Sequence, residues 1–132
     1  MTMMPTDKTM RPENTHVLRS RYVDVVGMSW ERTKFPGIEM KVLYTDPASQ
    51  MSTILFRMAA GAEVPLHEHT AIEQTYVLEG RLIDHEGECT EGNFVWRPGG
   101  NRHVAVAPEG ALILSFFLKP NRFAEGQRFF TE

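Results

Sequence analysis

Apolar residues recur in short runs along the chain, separated by glycine, proline and polar turn residues. Residues 39–45 alternate apolar and polar positions, which is typical of a strand with one buried face. Residues 52–58 and 111–119 are rich in β-branched and aromatic residues and indicate strands inside a core. Many short strands without a helical period predict an all-β sandwich or barrel.

The remaining pattern predicts further strands and the limits of one domain. We expect strands at residues 22–28, 64–69, 73–84 with an interruption at Gly80, 89–90, 94–96 and 103–107. Residues 1–16 are polar and carry prolines, so they are predicted to form a flexible N-terminal arm. Residues 17–132 are predicted to form the single domain. The aromatic residues of its tail, Phe123, Phe129 and Phe130, are expected to pack.

Composition excludes several classes of function. The 132 residues carry a net charge of −3 without a basic block, so no nucleic-acid partner is predicted. The longest apolar run, residues 111–118, is too short for a membrane-spanning helix, and residues 1–14 lack the apolar core of a signal peptide. The single cysteine, Cys89, cannot form an internal disulfide, which suits a cytoplasmic protein.

Four residues are candidate metal ligands that act in catalysis through the metal. His67 and His69 are two positions apart, so on a strand their imidazoles share one face. Glu73 can return to the same point if the chain bends, and His103 follows a Pro-x-Gly turn. Three imidazoles and one carboxylate suit one divalent transition metal per chain.

A less specific interpretation treats each histidine as an ordinary packed or solvated residue. His16 lies in the polar leader and His85 in a turn-like segment, so both are predicted to be of that kind. For the other three, chance would have to supply the His-x-His pair, the carboxylate and the third histidine at these spacings. The main alternative to metal binding is a barrel of the same fold without a metal.

The spacing resembles the two motifs of the cupin superfamily. From Gly61 to Gly80 the chain reads glycine, five residues, His-x-His, three residues, glutamate, six residues, glycine. From Gly92 to His103 it reads glycine, five residues, proline, one residue, glycine, two residues, histidine. The resemblance implies a double-stranded β-helix, or jelly-roll barrel, whose interior holds the four candidate ligands. The chain departs from the second motif at Ala107, where the family usually has asparagine, which is not a metal ligand.

A second resemblance concerns the ChrR-like branch of the cupins. It rests on the sequence around residues 30–43, 79–84 and 92–98. That branch includes cupin domains of anti-sigma factors and small iron enzymes that cleave carbon–carbon bonds in β-diketones or hydroxyacetophenones. The diketone-cleaving members hold iron with three histidines. By this resemblance Glu73 is a fourth ligand or an acid beside the ligands.

Two classes of function follow from these resemblances. The first is a cytoplasmic iron(II) dioxygenase that cleaves a small β-diketone-like or hydroxyacetophenone-like compound. The second is a non-catalytic sensor-type cupin whose metal shapes a ligand pocket; a metal-dependent isomerase or lyase fits the same residues. The single cysteine cannot supply the zinc-binding segment of ChrR-like anti-sigma proteins, which favours the enzyme. Iron(II) is favoured, and nickel, zinc, manganese and copper also suit imidazole ligands.

The pocket and the assembly complete the predictions. The apolar residues expected near the metal include Val64, Leu66, Ile72, Val77, Val104 and Phe116. Three arginines could meet substrate charge, although a surface position is expected for each: Arg57, Arg81 and Arg97. Residues 22–26 and 129–130 are candidates to cover sheet edges of a neighbouring subunit or to close their own barrel, and a homodimer or homotetramer is predicted.

Overall fold

The structure, a computed structural model, describes residues 17–123 and residue 130. The predicted arm at residues 1–16, with His16, lies outside the described residues. The described part of the chain contains ten strands and confirms the all-β prediction. Their bounds are β1 Glu31–Arg32, β2 Ile38–Asp46, β3 Met51–Met58, β4 Ala62–Glu68, β5 Glu73–Asp84, β6 Gly87–Thr90, β7 Phe94–Arg97, β8 Arg102–Ala107, β9 Ala111–Phe117 and β10 Arg122–Phe123.

Strand β5 joins the two antiparallel sheets of the barrel. Its first part pairs with β7 and β9, and β9 continues through β3 and β2 to β1. Its last part pairs with β6 and β8, and β8 continues through β4 to β10. Because one long strand serves both sheets, the two walls of the barrel curl around a shared interior.

Gly80 allows β5 to pass from one sheet to the other. Its φ is +77°, and a Cβ there would lie 2.0 Å from the Gly110 carbonyl oxygen. The ladder to β9 also shifts between Val77 and Glu79. Only glycine tolerates this conformation and this close approach, so the interruption predicted at Gly80 marks a bend inside one strand.

A register shift in β4 decides which residues face the barrel interior. The shift lies between Val64 and His67 and contains Pro65, which cannot donate a ladder hydrogen bond. Val64 is buried before the shift, and His67 and His69 are buried after it. In a regular strand without this bulge, strict alternation would place both histidines on the face opposite Val64.

Aromatic side chains fill one end of the interior. Phe35 and Phe123 pack with their ring centroids 4.9 Å apart, and Phe130 packs against Phe56 at 4.5 Å. Phe123 also lies 5.4 Å from the His67 ring. The predicted packing of the tail is confirmed for Phe123 and Phe130, while Phe129 lies outside the described residues. Phe130 belongs to the core of its own chain, so it does not cover a neighbouring subunit.

One predicted strand is wrong. Residues 22–28 form no strand and end in a turn, in which Asp24 Oδ1 accepts a hydrogen bond from the Gly27 amide. The valines of this segment therefore do not enter the barrel. The link expected at residues 30–37 contains the short β1. In the described part of the chain, no helix is long and apolar enough to cross a membrane.

Candidate metal centre

Three histidines converge inside the barrel. His67 on β4 and His103 on β8 are direct cross-strand partners, with ring centroids 4.5 Å apart. His69 follows β4, and its Nε2 lies 3.0 Å from His103 Nε2. One ring nitrogen from each residue lies within 4.8 Å of the other two, and all three side chains are buried. The structure thus brings three of the four predicted residues together, and their binding of a metal stays a prediction.

The turn between β7 and β8 fixes the position of His69. The His69 amide donates to the Asn101 carbonyl at 2.8 Å, and the Gly100 amide donates to the His69 carbonyl at 2.6 Å. Gly100 has a φ of +94°, which favours glycine. The Pro-x-Gly turn of the sequence therefore positions two histidines of the cluster, because it also leads into His103.

Hydrogen bonds determine which nitrogen of two imidazoles faces the cluster. His67 Nδ1 lies 2.8 Å from the Pro65 carbonyl oxygen, which can only accept, so Nδ1 carries the proton. His103 Nδ1 donates in the same way to Asp84 Oδ2 at 2.8 Å. In each neutral ring Nε2 then keeps a lone pair, as a metal ligand requires.

Burial keeps the imidazoles neutral. Desolvation lowers the pKa of His67 to about 4 and that of His69 to about 2. Desolvation also lowers the pKa of His103, helped by the Arg97 charge and opposed by Asp84. Near neutral pH all three rings are therefore neutral, and each keeps one nitrogen lone pair that a metal could accept.

Glu73 lies beside the cluster on β5. Its Oε1 is 3.5 Å from His69 Nδ1, a buried atom without a hydrogen-bond partner. Desolvation raises the pKa of Glu73 to about 7, against the opposing effects of Arg97 and a hydrogen bond from Thr75. The structure places this carboxyl group within reach of one imidazole, and its role as a fourth ligand stays a prediction.

An ion pair behind the cluster escaped the sequence analysis. Arg97, expected at the surface, is buried because Asp84 Oδ2 accepts a hydrogen bond from its Nη1 at 2.8 Å. The same oxygen accepts a hydrogen bond from His103 Nδ1. Burial opposes ionisation of Asp84, but the hydrogen bonds from His103 and the Glu86 amide outweigh it and lower its pKa. Arg97 Nε also lies 3.9 Å from Glu73 Oε1, so Arg97 lies between two carboxylates.

The other two arginines are exposed, as expected. Arg57 pairs with Glu39 on the neighbouring strand, and Arg81 pairs with Glu88 and Glu109. His85 is exposed, as predicted. Cys89 is buried, and desolvation raises the pKa of its thiol, which agrees with an unreactive cysteine.

Two of the clustered histidines line a small cavity of about 30 Å³ inside the barrel. His67, His103, Glu73 and Arg97 form part of its wall. The hydroxyl groups of Thr75 and Ser115 meet at 2.8 Å on the same wall. The rest consists of the buried Asn121 and of apolar side chains, which come from Ile38, Phe56, Met58, Val64, Leu82, Val95, Ala105, Ile113 and Phe130.

Some of six apolar residues near the motifs were expected to line the cavity, and one of them does. Val64 lines the cavity, but Leu66, Ile72 and Phe116 are exposed. Each of these three neighbours an inward-facing residue, and alternation along a strand places it on the outer face. Val77 is fully buried and Val104 half-buried, and neither belongs to the cavity wall.

The donor set fits a divalent transition metal. Three neutral imidazoles are the ligand type that zinc, iron, nickel and copper accept. Acceptors lie behind the Nδ1 atoms of His67 and His103, an arrangement that orients metal-binding histidines in proteins. The Nδ1 atom of His69, which has no hydrogen-bond partner, also agrees with metal binding. If His69 bound a metal through Nε2, its Nδ1 would carry the proton and face the Glu73 carboxyl group.

The sequence from residue 18 to residue 121 matches the family model described as the ChrR cupin-like domain. This chain belongs to the ChrR cupin-like family. The cupin resemblance and the jelly-roll barrel predicted from the two motifs are thereby confirmed. No curated protein matches the sequence.

Solved cupin structures share the fold. An acetylacetone dioxygenase from Acinetobacter johnsonii superimposes with a TM-score of 0.76 at 19% identity, over 90% of this chain and 89% of that chain. A candidate acetylacetone dioxygenase from Methylibium petroleiphilum gives 0.74 at 19% identity, over 91% and 90%. Rhodobacter sphaeroides ChrR, an anti-sigma protein in complex with SigE, gives 0.61 at 24% identity, over 70% and 50%. At these identities the likeness establishes the fold alone.

Proposed function

We propose that this cupin is an iron(II)-dependent dioxygenase that cleaves a small β-diketone-like or hydroxyacetophenone-like compound. The observation that carries the proposal is the convergence of three neutral imidazoles, two of which line a mainly apolar cavity. Two structurally similar cupins bear the name of acetylacetone dioxygenases, which supports this choice among the metal-dependent reactions.

His67, His69 and His103 would hold the metal through uncharged nitrogens. An iron(II) ion bound there would supply a Lewis acid for the enolate of the substrate and a binding position for dioxygen. Because the imidazoles are neutral, they leave the positive charge of the site undiminished, which favours an anionic enolate. The hydrogen bonds to Pro65 and Asp84 keep the ligand rings oriented.

Glu73 and Arg97 would control charge and protons beside the ligands. With a pKa near 7, Glu73 can accept the acidic proton of an enolisable carbonyl compound at its carboxylate and later return it. Arg97 is held between Asp84 and Glu73, and it would stabilise negative charge on this wall. If Glu73 instead ligates the metal, it cannot act as this base.

The apolar part of the cavity would select and shield the substrate. Phe56, Ile113 and Phe130 form walls without hydrogen-bonding groups, which suits a compact apolar carbonyl compound. These walls also exclude water, which would otherwise compete for the enolate and weaken every charge interaction in the site.

Oxygen uptake tests the reaction. The protein is freed of metal, loaded with iron(II) without air, and mixed with acetylacetone-like and hydroxyacetophenone-like compounds in aerated buffer. We expect one dioxygen to be consumed for each substrate cleaved, with both labelled oxygen atoms recovered in the products when ¹⁸O₂ is used. His67→Ala should abolish uptake, and His85→Ala, which changes an exposed histidine outside the cluster, should retain it.

Other outcomes would identify the alternatives. Saturable binding of these compounds with no turnover under oxygen would contradict the enzyme and support a non-catalytic, sensor-type cupin. Conversion of a substrate at the same rate without oxygen would indicate a metal-dependent isomerase or lyase. Metal analysis of protein purified without added metal would show whether iron, nickel, zinc, manganese or copper occupies the histidines in the cell.

We also propose a cytoplasmic location. Cys89 is buried, reduced and without a second cysteine in the chain, as is common in a reducing compartment. Cell fractionation that recovers the protein outside the cytoplasm would contradict this location.

A further inference from the structure

The cavity beside the histidine cluster is smaller than the proposed substrates. Its volume of about 30 Å³ has room for roughly two water molecules. Benzene binds inside a protein core in an apolar cavity of about 150 Å³, and a β-diketone such as acetylacetone is slightly larger than benzene. Part of the cavity wall must therefore move before such a compound can reach the histidines.

Most of this wall is held in place by the sheets. Apart from Phe130, its apolar residues belong to strands whose backbone hydrogen bonds hold them. Phe56 of β3, for example, is paired with Met40 on one side and with Ile113 on the other. Asn121 directly precedes β10, which is paired with β4. Moving any of these residues would break backbone hydrogen bonds between strands.

Phe130 differs from these wall residues because it belongs to no strand. Its carbonyl accepts a hydrogen bond from the Lys34 amide at 3.0 Å, in the link between β1 and β2. Its ring lies 4.5 Å from the Phe56 ring and 5.6 Å from the Phe123 ring, and the residue is 4% exposed. The ring can therefore leave the interior without breaking a backbone hydrogen bond between strands.

The position of the Phe130 ring is continuous with the space at the histidines. Phe130, His67 and His103 line the same cavity. Phe123, which packs against Phe130, also lies 5.4 Å from the His67 ring. The phenyl ring has the size of a benzene molecule, so its departure would free the room that a compact apolar compound needs.

We propose that the apolar part of the substrate binds in place of the Phe130 ring, between Phe56 and Phe123, and that the substrate displaces this ring as it enters. This inference rests on the proposed function and deepens it, because it assigns the apolar end of the substrate to a position in the barrel. In the ligand-free chain the Phe130 ring fills that position and keeps the cavity closed.

The displacement favours apolar carbonyl compounds over water. A ligand shifts the chain to an open state only by binding that state more tightly than the closed one. An apolar carbonyl compound replaces the packing of the lost ring and also places its oxygen atoms at the proposed metal. Water offers no apolar contact in exchange for the ring, so the cavity stays closed to it.

Binding of benzene to metal-free, full-length protein tests the position without the metal or the reaction. Phe130→Ala vacates the position, so benzene should bind at least tenfold more tightly than to the wild type in an NMR titration. Phe94→Ala is the matched control, because it removes the ring of an exposed phenylalanine and should leave benzene binding unchanged. Phe130→Leu retains more of the packing and should change the affinity in the same direction, which keeps the test decisive if Phe130→Ala does not fold. Equal affinity of the Phe130 variants and the wild type would overturn the proposal.

A fluorine label tests whether the substrate displaces the ring. 4-Fluorophenylalanine is placed at position 130 of the full-length protein, which is loaded with zinc because three imidazoles suit that metal and zinc has no redox chemistry. Bound acetylacetone should move the ¹⁹F signal and increase its shift between H₂O and D₂O, since the ring enters solvent. Bound acetylacetone with an unchanged ¹⁹F signal would overturn the displacement while leaving the proposed function in place. If no diketone binds, the proposed function fails, and the benzene titration still decides whether the Phe130 position accepts an apolar ligand.

Discussion

Asp84 contacts His103, a proposed metal ligand, without belonging to the histidine cluster. Its Oδ2 accepts hydrogen bonds from His103 and Arg97, so replacing it removes both an orienting contact and the charge that balances Arg97. We expect Asp84→Asn to weaken metal binding about 10–100-fold while the barrel stays folded. Titration against a competing chelator measures the affinity. Asp46→Asn, which changes a carboxylate in the β2–β3 turn, is the matched control; equal affinity in both variants would contradict the role of Asp84.

The buried titratable groups oppose each other in their effect on stability. The folded pKa values of His67 and His69, about 4 and about 2, lie below the ordinary value of 6.5. At acidic pH the unfolded chain therefore binds more protons at these two residues than the folded chain does. Glu73, with a folded pKa near 7 against an ordinary 4.5, does the reverse. Between pH 6.5 and 4.5 these three groups leave a net difference of about one proton. The metal-free protein should therefore lose on the order of 1.4 kcal/mol of unfolding free energy per pH unit as pH falls.

Removing the glutamate isolates its effect. Glu73→Gln leaves the two histidines unopposed, so the loss of stability per pH unit should roughly double between pH 6.5 and 4.5. Urea unfolding of the metal-free protein at several pH values measures this slope. The exposed Glu63→Gln should keep the wild-type slope, and a shallower slope in Glu73→Gln would contradict the assigned direction.

At the scale of single elements, Gly80 carries the bend of β5. Gly80→Ala combines a strained positive φ with a Cβ that would meet the Gly110 carbonyl oxygen. We expect it to cost about 3–5 kcal/mol of unfolding free energy, from backbone strain and overpacking together. Gly92→Ala has a similar φ of +81° with nothing within 4 Å of the added Cβ, so it should cost about 1–2 kcal/mol. Denaturant unfolding compares the two, and equal losses would show that the contact with Gly110 is unimportant.

Bulges explain why the sequence predicted most strands but misassigned several inward faces. Alternation located β2, and the content of β-branched and aromatic residues located β3 and β9. The register shifts in β4 and β5 reverse that alternation, and the residue types do not indicate where such a shift occurs. Past the shift in β5, Leu82 and Asp84 turn towards the interior, which is why Asp84 escaped notice. The three histidines were predictable because the residue counts of the two motifs already include the extra residue of the bulge.

For the whole molecule, metal binding should add to the stability of the folded barrel. The cluster joins β4 to β8 and exists only in the folded chain, so a metal present at about 100 times its Kd adds about 2.7 kcal/mol. For a domain of this size we expect a rise in Tm on the order of 10 °C. Thermal unfolding with metal and with chelator measures the difference. His69→Ala should abolish it and His85→Ala should retain it; a metal-induced rise in His69→Ala would contradict the site.

The arrangement of the tail and of residues 17–28 could not be predicted from the sequence. Aromatic residues at 123 and 130 predicted packing, but not that they would form part of the interior beside His67. The valines at 23–26 suggested a strand, yet a strand forms only where a neighbouring strand offers free hydrogen-bonding groups. Which surface finds a partner depends on contacts between distant parts of the chain, and these are not encoded in local pattern.

The cross-strand pairing of His67 with His103 also has a consequence for the order of events during biosynthesis. His69 and His103 are 34 positions apart, so a ribosome-bound chain that has exposed only the first two histidines has no complete site. Barrels dominated by such distant pairings fold on the order of milliseconds to seconds. We therefore expect the metal to enter a finished barrel, with refolding rates in stopped-flow measurements unchanged by added metal. The ions available at that moment, rather than the imidazoles alone, would then decide which element the protein carries in the cell.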